Sequence, residues 1–290
     1  MTFDLTFGTR RVVRDRALVM AIVNRTPDSF YDKGRTFDPA IALEAVRQAV
    51  GDGADIIDIG GVKAGPGDDV DTGEELTRTI PFIEAVRAEF DDVVLSIDTW
   101  RAEVGRQAVA AGADLINDTW AGHDPELLDV VAETRCGFVC SHTGGVQPRT
   151  KPHRVEYDDI VASVIADTTQ AAESLAARGV PRTGLLIDPT HDFGKNTRHG
   201  LEILRRIDEL VATGWPVLMA ISRKSFLGEM LGGVPAEDRR AATLAATAVA
   251  ARAGAAAFRT HDVVATRQAL EVVAGIRGDR QPMRTVRGLV

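Results

Sequence analysis

The sequence predicts a parallel α/β fold, a (β/α)8 barrel preceded by an N-terminal β-hairpin, and three observations predict it. Eight short apolar runs are spread along 290 residues. Each ends in a polar, charged or glycine-rich group, and alanine-rich stretches able to form helices lie between the runs. Short apolar runs bounded by turn signals are the pattern of strands buried on both faces. Eight alternating units favour a closed barrel over an open doubly wound sheet, and such barrels reach this length as one domain. The expected organisation is a single domain over residues 1–290.

The opening residues read as a hairpin: Thr2 to Phe7 alternates, Gly8-Thr9 turns, and Arg10 to Val13 returns. The strand runs follow at Leu18–Val23, Ile56–Ile59, Val93–Ile97, Leu115–Ile116, Phe138–Cys140, Leu185–Ile187, Val217–Ile221 and Ala256–Phe258. Helical stretches between them include Ala40–Asp52, Glu74–Glu89, Arg101–Ala111, Pro125–Glu133, Tyr157–Arg178, Leu201–Thr213 and Asp238–Arg252. Several stop at a glycine, among them Gly53 and Gly254, as helices ending in a left-handed residue do. The long connection Ser141 to Tyr157 after the fifth run has room for a lid or an extra turn.

Composition narrows the function classes. A hydrophobic fraction of 44% and a charged fraction of 26% fit a globular protein. The net charge of −8 disfavours a nucleic-acid binder, whose footprint would be basic. Cys136 and Cys140 are not spaced as a zinc pair and read as buried thiols on one strand. The N-terminus lacks a signal-peptide pattern and no apolar run reaches membrane-spanning length, so a cytoplasmic protein is expected.

Ligand chemistry in such a barrel sits at the carboxyl ends of the strands. The residues there are Asn24 to Phe30, Gly60 to Gly67, Asp98-Thr99, Asn117-Asp118, Ser141 to Gly145, Asp188 to Lys195, Ser222 to Ser225 and Arg259 to Asp262. The opposite ends show no such concentration of polar groups. Asp98, Asn117 and Asp188 suit a flat heterocycle with a guanidine-like edge. Lys224, Arg259 and His261 form a cationic set where barrels of this class place phosphate. Asn24 offers an oxygen to a divalent ion bridging phosphate groups. The expected ligand is a polar heterocycle joined to phosphate or pyrophosphate.

In order and spacing, Asn24-x-Thr-Pro-Asp-Ser-Phe30, Asp58-Ile-Gly-Gly61, Ser96-Ile-Asp-Thr99, Ile116-Asn-Asp118, Asp188-Pro189 with Phe193-Gly-Lys195, Ser222-Arg-Lys-Ser225 and Arg259-x-His-Asp262 resemble the dihydropteroate synthase family. The resemblance runs from about Leu18 to Asp262. It implies joining of a dihydropterin-methyl pyrophosphate to p-aminobenzoate with release of pyrophosphate, assisted by Mg²⁺. It also implies that Asp98, Asn117, Asp188 and Lys224 hold the pterin. Arg259 would stack on the ring and meet the pyrophosphate together with His261. Asn24 would ligand the metal, and Ser222 and Phe193 would border the aminobenzoate. A homodimer through the alanine-rich helices near Ala241–Ala251 is a further implication.

The sequence departs from the family pattern mainly on the side of the second substrate. The second loop reads Gly60-Gly-Val-Lys-Ala-Gly-Pro-Gly67, with Ala64 and Gly65 in place of the family's threonine and arginine. A hydrogen bond to a charged group is worth about 1.5–3 kcal/mol, so two losses imply on the order of 10²–10⁴ in rate. Arg25 or Lys63 are the nearest cations that could compensate. The fifth strand ends Ser141-His-Thr-Gly-Gly145, without the family's methionines. His191 and Asp192 stand where the family has an apolar residue and a glycine, and Asp192 should repel a carboxylate-bearing substrate.

These changes predict a second paralogue with weak or absent synthase activity. A non-catalytic pterin-binding or regulatory homologue and a pterin-binding methyltransferase domain are the alternatives. Among the other polar residues, His142 is expected to orient backbone, His191 to lie on a surface loop, and His123, His153 and His199 to be exposed. Lys195 is either phosphate-facing or salt-bridged. Asp68, Asp69 and Asp71 read as a solvated loop tip.

Overall fold

The chain begins with β1 (Phe3–Phe7) and β2 (Arg10–Arg14), which pair antiparallel with Phe7 opposite Arg10 across the Gly8-Thr9 turn. The structure, a computed structural model, describes residues 1–26, 35–150 and 155–287. Eight parallel strands follow: β3 (Leu18–Asn24), β4 (Ile56–Gly60), β5 (Val94–Asp98), β6 (Leu115–Asn117), β7 (Gly137–Ser141), β8 (Leu185–Asp188), β9 (Leu218–Met219) and β10 (Ala257–Thr260). Their order is β8-β7-β6-β5-β4-β3-β10-β9. A parallel bridge between Ile187 and Val217 brings β8 to the start of β9 and closes the ring. β9 is shorter than the apolar run Val217–Ile221 because Pro216 has no N–H to give and the Ile221 carbonyl already accepts from Lys224 in the next turn.

The helices are α1 (Pro39–Gly51), α2 (Thr72–Glu89), α3 (Ala102–Ala110), α4 (Glu126–Thr134), α5 (Ile160–Ala177), α6 (Thr197–Arg205), α7 (Ile207–Ala212), α8 (Ser225–Met230), α9 (Arg240–Ala253) and α10 (Val263–Arg277). The stretch Leu201–Thr213, expected as one helix, breaks at Arg206. That residue leaves helical geometry at φ −111° and ψ 26°, and its guanidinium binds Asp159 at 3.0 Å. Gly254 ends α9 with φ 116°, as the sequence predicts. No helix among the described residues is long and apolar enough to cross a membrane.

Period-two alternation along the strands divides the core into two layers. Outward-facing residues such as Val19, Ile57, Leu95 and Ile116 meet the helices. Their neighbours Leu18, Met20, Ile56, Val94, Leu115, Val139 and Leu186 fill the barrel, together with Leu5, Phe7 and Val12 of the hairpin. The hairpin thus plugs the amino-terminal end. Its approach is close enough to require glycine: a Cβ on Gly184 would lie 2.2 Å from the Thr6 carbonyl oxygen, and one on Gly137 would lie 2.5 Å from the Phe7 ring. Burial of Phe7 alone contributes about 1.5–3 kcal/mol. Both cysteines are buried and free, and burial raises both thiol pKa values.

The amino-terminal end carries two largely buried acids of its own. Asp55, just before β4, accepts from the Val19 amide at 3.0 Å, from Arg14 at 2.7 Å and from Arg267. Asp114, just before β6, accepts from Arg10 at 3.0 Å, Arg87 at 2.6 Å and the Leu95 amide at 3.0 Å. The arginines come from distant segments, so linear sequence does not show these pairings.

Candidate functional site

The open, carboxyl-terminal mouth carries a cavity of about 550 Å³, a size that suits a ligand of two joined rings. Asn24, Asp98, Phe193, Ser222, Lys224, Arg259 and His261 all line it. The ends of β3 and β5, the interior of β10, and the loops after β8, β9 and β10 supply them. Asn117 and Asp188, at the ends of β6 and β8, are buried beneath this lining. Of the first loop, Pro27 to Phe30 lie outside the described residues.

A buried carboxylate organises the inner half of the mouth. Asp58 accepts from Ser96 Oγ at 2.6 Å, Asn117 Nδ2 at 3.2 Å and Arg259 Nε at 2.6 Å. Arg259 also donates to Asp98 at 2.8 Å, and Thr119 donates to the other oxygen of Asp98 at 3.0 Å. Asp58 received no role from the sequence, although a signal was present. It lies two residues after the inward-facing Ile56 on β4, so it too must point into the barrel.

Burial sets the ionisation of this half. It raises the Asp98 carboxyl, against the pull of Arg259. It pushes Asp188, which accepts the Thr190 amide at 2.7 Å, up to about 6. It lowers the Lys224 ammonium, which stands 4.3 Å from the centroid of the Phe193 ring. His261 shares a 3.0 Å contact with Ser222 Oγ, and burial beside Arg259 pushes its ring down to about 3. Its imidazole is therefore neutral at pH 7, and the expected cationic set reduces to Lys224 and Arg259 with a neutral histidine. Linear sequence does not display the burial that causes this.

The sixth loop holds two non-glycine residues in left-handed backbone, Thr190 at φ 51° and Asp192 at φ 71°. Such conformations are costly for side-chain-bearing residues unless local bonds hold them. Thr190 Oγ1 accepts from the His142 amide at 3.2 Å and donates to the Asp188 carbonyl at 3.0 Å. The Asp192 carboxylate accepts from the backbone amides of Ser225 and, at 3.2 Å, Phe226. His191, expected on the surface, is fully buried and stacks on Phe226 at 5.0 Å between centroids. The loop folds inward there, and burial pushes its ring down to about 3. Lys195 lines the cavity, but its ammonium donates to the carbonyls of His142, Thr190 and Phe193 at 2.6, 3.3 and 3.0 Å, which ties two loops together.

In the second loop Lys63, Ala64, Gly65 and Pro66 face the same cavity. Arg25 is not among the residues lining that cavity. It turns behind the barrel, donating to the carbonyls of Thr36 at 2.6 Å and Phe37 at 2.8 Å and lying 4.7 Å from the Phe82 ring. Asp71 caps α2 through the Glu74 amide, and the Asp68 carbonyl accepts from Arg149, so the acidic tip is exposed and anchored. His142 turns away from the cavity towards Ser163 at 3.0 Å. His123 is exposed as expected. His199 is half-buried and completes a capping box with Asn196, and His153 lies outside the described residues.

A barrel mouth with paired acids, an amide and two cations over a plugged floor defines a pterin-binding barrel protein, and a family profile described as pterin binding enzyme matches residues 20–261. The chain is 35% identical over 266 residues to a dihydropteroate synthase of Streptococcus pyogenes, covering 91% of this chain and 97% of that one. It superposes with a TM-score of 0.85 and 33% identity on the dihydropteroate synthase of Coxiella burnetii in complex with pteroic acid, over 95% of this chain and 98% of that chain. It therefore belongs to the dihydropteroate synthase family. It is also 60% identical over 288 residues to the protein of Mycobacterium tuberculosis named inactive dihydropteroate synthase 2, covering 98% of this chain and 90% of that one.

Proposed function

We propose that this protein binds a dihydropterin-methyl pyrophosphate in the inner half of its mouth and condenses it with p-aminobenzoate weakly or not at all. The observation that carries this reading is an asymmetry within one cavity. The acids, amide and lysine suited to a pterin edge, Asp98, Asn117, Asp188 and Lys224, lie in or beneath its lining. The same lining presents Ala64, Gly65 and Asp192 where a second substrate and a departing pyrophosphate need donors.

In this reading the buried carboxylates accept the pterin N–H groups, and Lys224 donates to its oxygen. Arg259 lies across the ring and, with His261, reaches the pyrophosphate. Phe193 and Ser222 border the position of the arylamine. Asn24 supplies one neutral oxygen at the mouth. No cluster of three acidic, histidine or cysteine ligands occurs among the described residues, so Mg²⁺ would be held by Asn24 only together with pyrophosphate oxygens and water. When bound, the metal would stabilise charge on the departing pyrophosphate. The similarity to a protein named inactive supports the weak-turnover half of the reading, and the complex of the Coxiella protein with pteroic acid supports the pterin half.

Calorimetry with pterin pyrophosphate and Mg²⁺, followed by p-aminobenzoate and a product assay, tests the reading. The expected result is saturable pterin binding with turnover at least 10²-fold below that of an active synthase, from the two lost contacts. Turnover equal to that of an active synthase, or absence of pterin binding, would overturn it.

We also infer a single-domain, cytoplasmic homodimer. Val249 on α9 and Val272 and Ile276 on α10 are exposed by 54%, 62% and 68%, an apolar strip on adjacent helices. Sedimentation should give a dimer that Ile276→Asp shifts to monomer, and a wild-type monomer at micromolar concentration would refute this.

A further inference from the structure

The outer half of the cavity carries a fixed anion. Asp192 lines it beside Phe193 and Ser222, and its carboxylate is held there by the amides of Ser225 and Phe226. The backbone under it sits at φ 71°, where glycine costs least, so the side chain is kept at a conformational expense that its hydrogen bonds offset. Glu229 adds a second negative charge to the same lining. Two of the cations in the lining are engaged elsewhere. Arg259 bridges Asp58 and Asp98, and Lys195 is spread over three carbonyls. Lys224, over the Phe193 ring, has Asp192 as its strongest charged neighbour, but it is shared with Asp188 and Asp98.

We propose that Asp192 sets the specificity of this half, closing it to arylamines with a distal carboxylate and favouring those whose distal group is neutral or cationic. The inference deepens the proposed function and rests on its assignment of the outer half to an arylamine. Two charges a few ångströms apart in a partly desolvated cleft interact strongly enough to reorder ligands of identical shape.

The test is a charge series on one ring. 4-Aminobenzoate, 4-aminobenzamide and 4-aminobenzamidine are titrated by calorimetry into wild type, Asp192→Asn and Asp192→Gly, each first saturated with pterin pyrophosphate and Mg²⁺. Wild type should bind the amidine and the amide at least tenfold more tightly than the carboxylate. Both variants should shrink that gap to threefold or less while keeping pterin affinity. Asparagine and glycine both tolerate a left-handed backbone, so the fold should survive, and melting temperature checks this. Equal wild-type affinity for amide and carboxylate, an unchanged gap in both variants, or no binding of any arylamine would overturn the proposal. Failure of the first titration alone would count against the pterin assignment. The series is then read on the unliganded protein by ligand-observed NMR, where the same ranking is expected.

Discussion

Both ends of the barrel bury carboxylates, and they surround them differently. At the plugged end Asp55 and Asp114 each meet two arginines and a strand amide. At the mouth Asp58 and Asp98 share one arginine, and Asp188 accepts a single backbone amide. Burial raises Asp98 against the pull of Arg259 and Thr119, and Asp188 against the Thr190 amide, Lys224, Lys195 and Arg259. The charge itself does not mark a site, since both ends have it. An incomplete set of partners marks it, because a buried carboxylate with lone pairs to spare is favourable only when a ligand brings donors.

The largest expected effect breaks the plugged end. Arg267 donates to the carbonyls of Ala17 and Gly53 as well as to Asp55, all in the buried floor. Arg267→Ala should cost about 3–5 kcal/mol, because it leaves a buried acid and two carbonyls short of donors. Urea denaturation measures this, and the folded fraction should bind pterin pyrophosphate with unchanged affinity. A cost under about 1 kcal/mol would remove the contrast between the two ends.

The mouth should respond in the opposite way. Asp188→Ala removes a carboxylate whose burial disfavours its charged form, so stability should stay within about 1 kcal/mol of wild type. Pterin affinity should fall roughly 10- to 100-fold, the worth of a hydrogen bond to a charged group. Calorimetry and denaturation on the same variant separate the two. A large stability loss with pterin binding intact would make Asp188 a structural acid like Asp55.

What the sequence disclosed follows the range of the interactions. The eight strands were legible because burial on both faces writes itself as local apolar runs, and the mouth residues followed from their place after those runs. Asp58 was within reach of the same alternation. The capping of α8 by Asp192 was not, because it joins residues more than thirty positions apart through backbone amides. The neutrality of His261 and the burial of His191 depend on packing depth, which residue identity does not display. The direction of Arg25 was left open for a similar reason. A long side chain after a strand can turn either way, and the carbonyls of Thr36 and Phe37 decide which.

The smallest expected effect is a proton. The folded Asp188 carboxyl sits at about 6 against an ordinary value of 3.8, so the native protein holds a proton that the unfolded chain releases between those values. Its contribution to stability therefore declines as pH rises through that window and is constant above about 6. Asp118, also at about 6, adds to the same slope, but it is tied to the amides of Trp120 and Gly122 and does not line the ligand cavity. Pterin donors favour the ionised form of Asp188, so binding should expel its proton and tighten a few-fold from pH 5 to 7, then level off. Calorimetry at pH 6 in two buffers of different ionisation enthalpy should register release of a fraction of one proton, with none at pH 8. Asp188→Asn should abolish the buffer dependence, whereas Asp118→Asn should leave it intact. If Asp188→Asn keeps the full release, the proton belongs to Asp98 or to the ligand, and Asp188 is already ionised in the empty mouth.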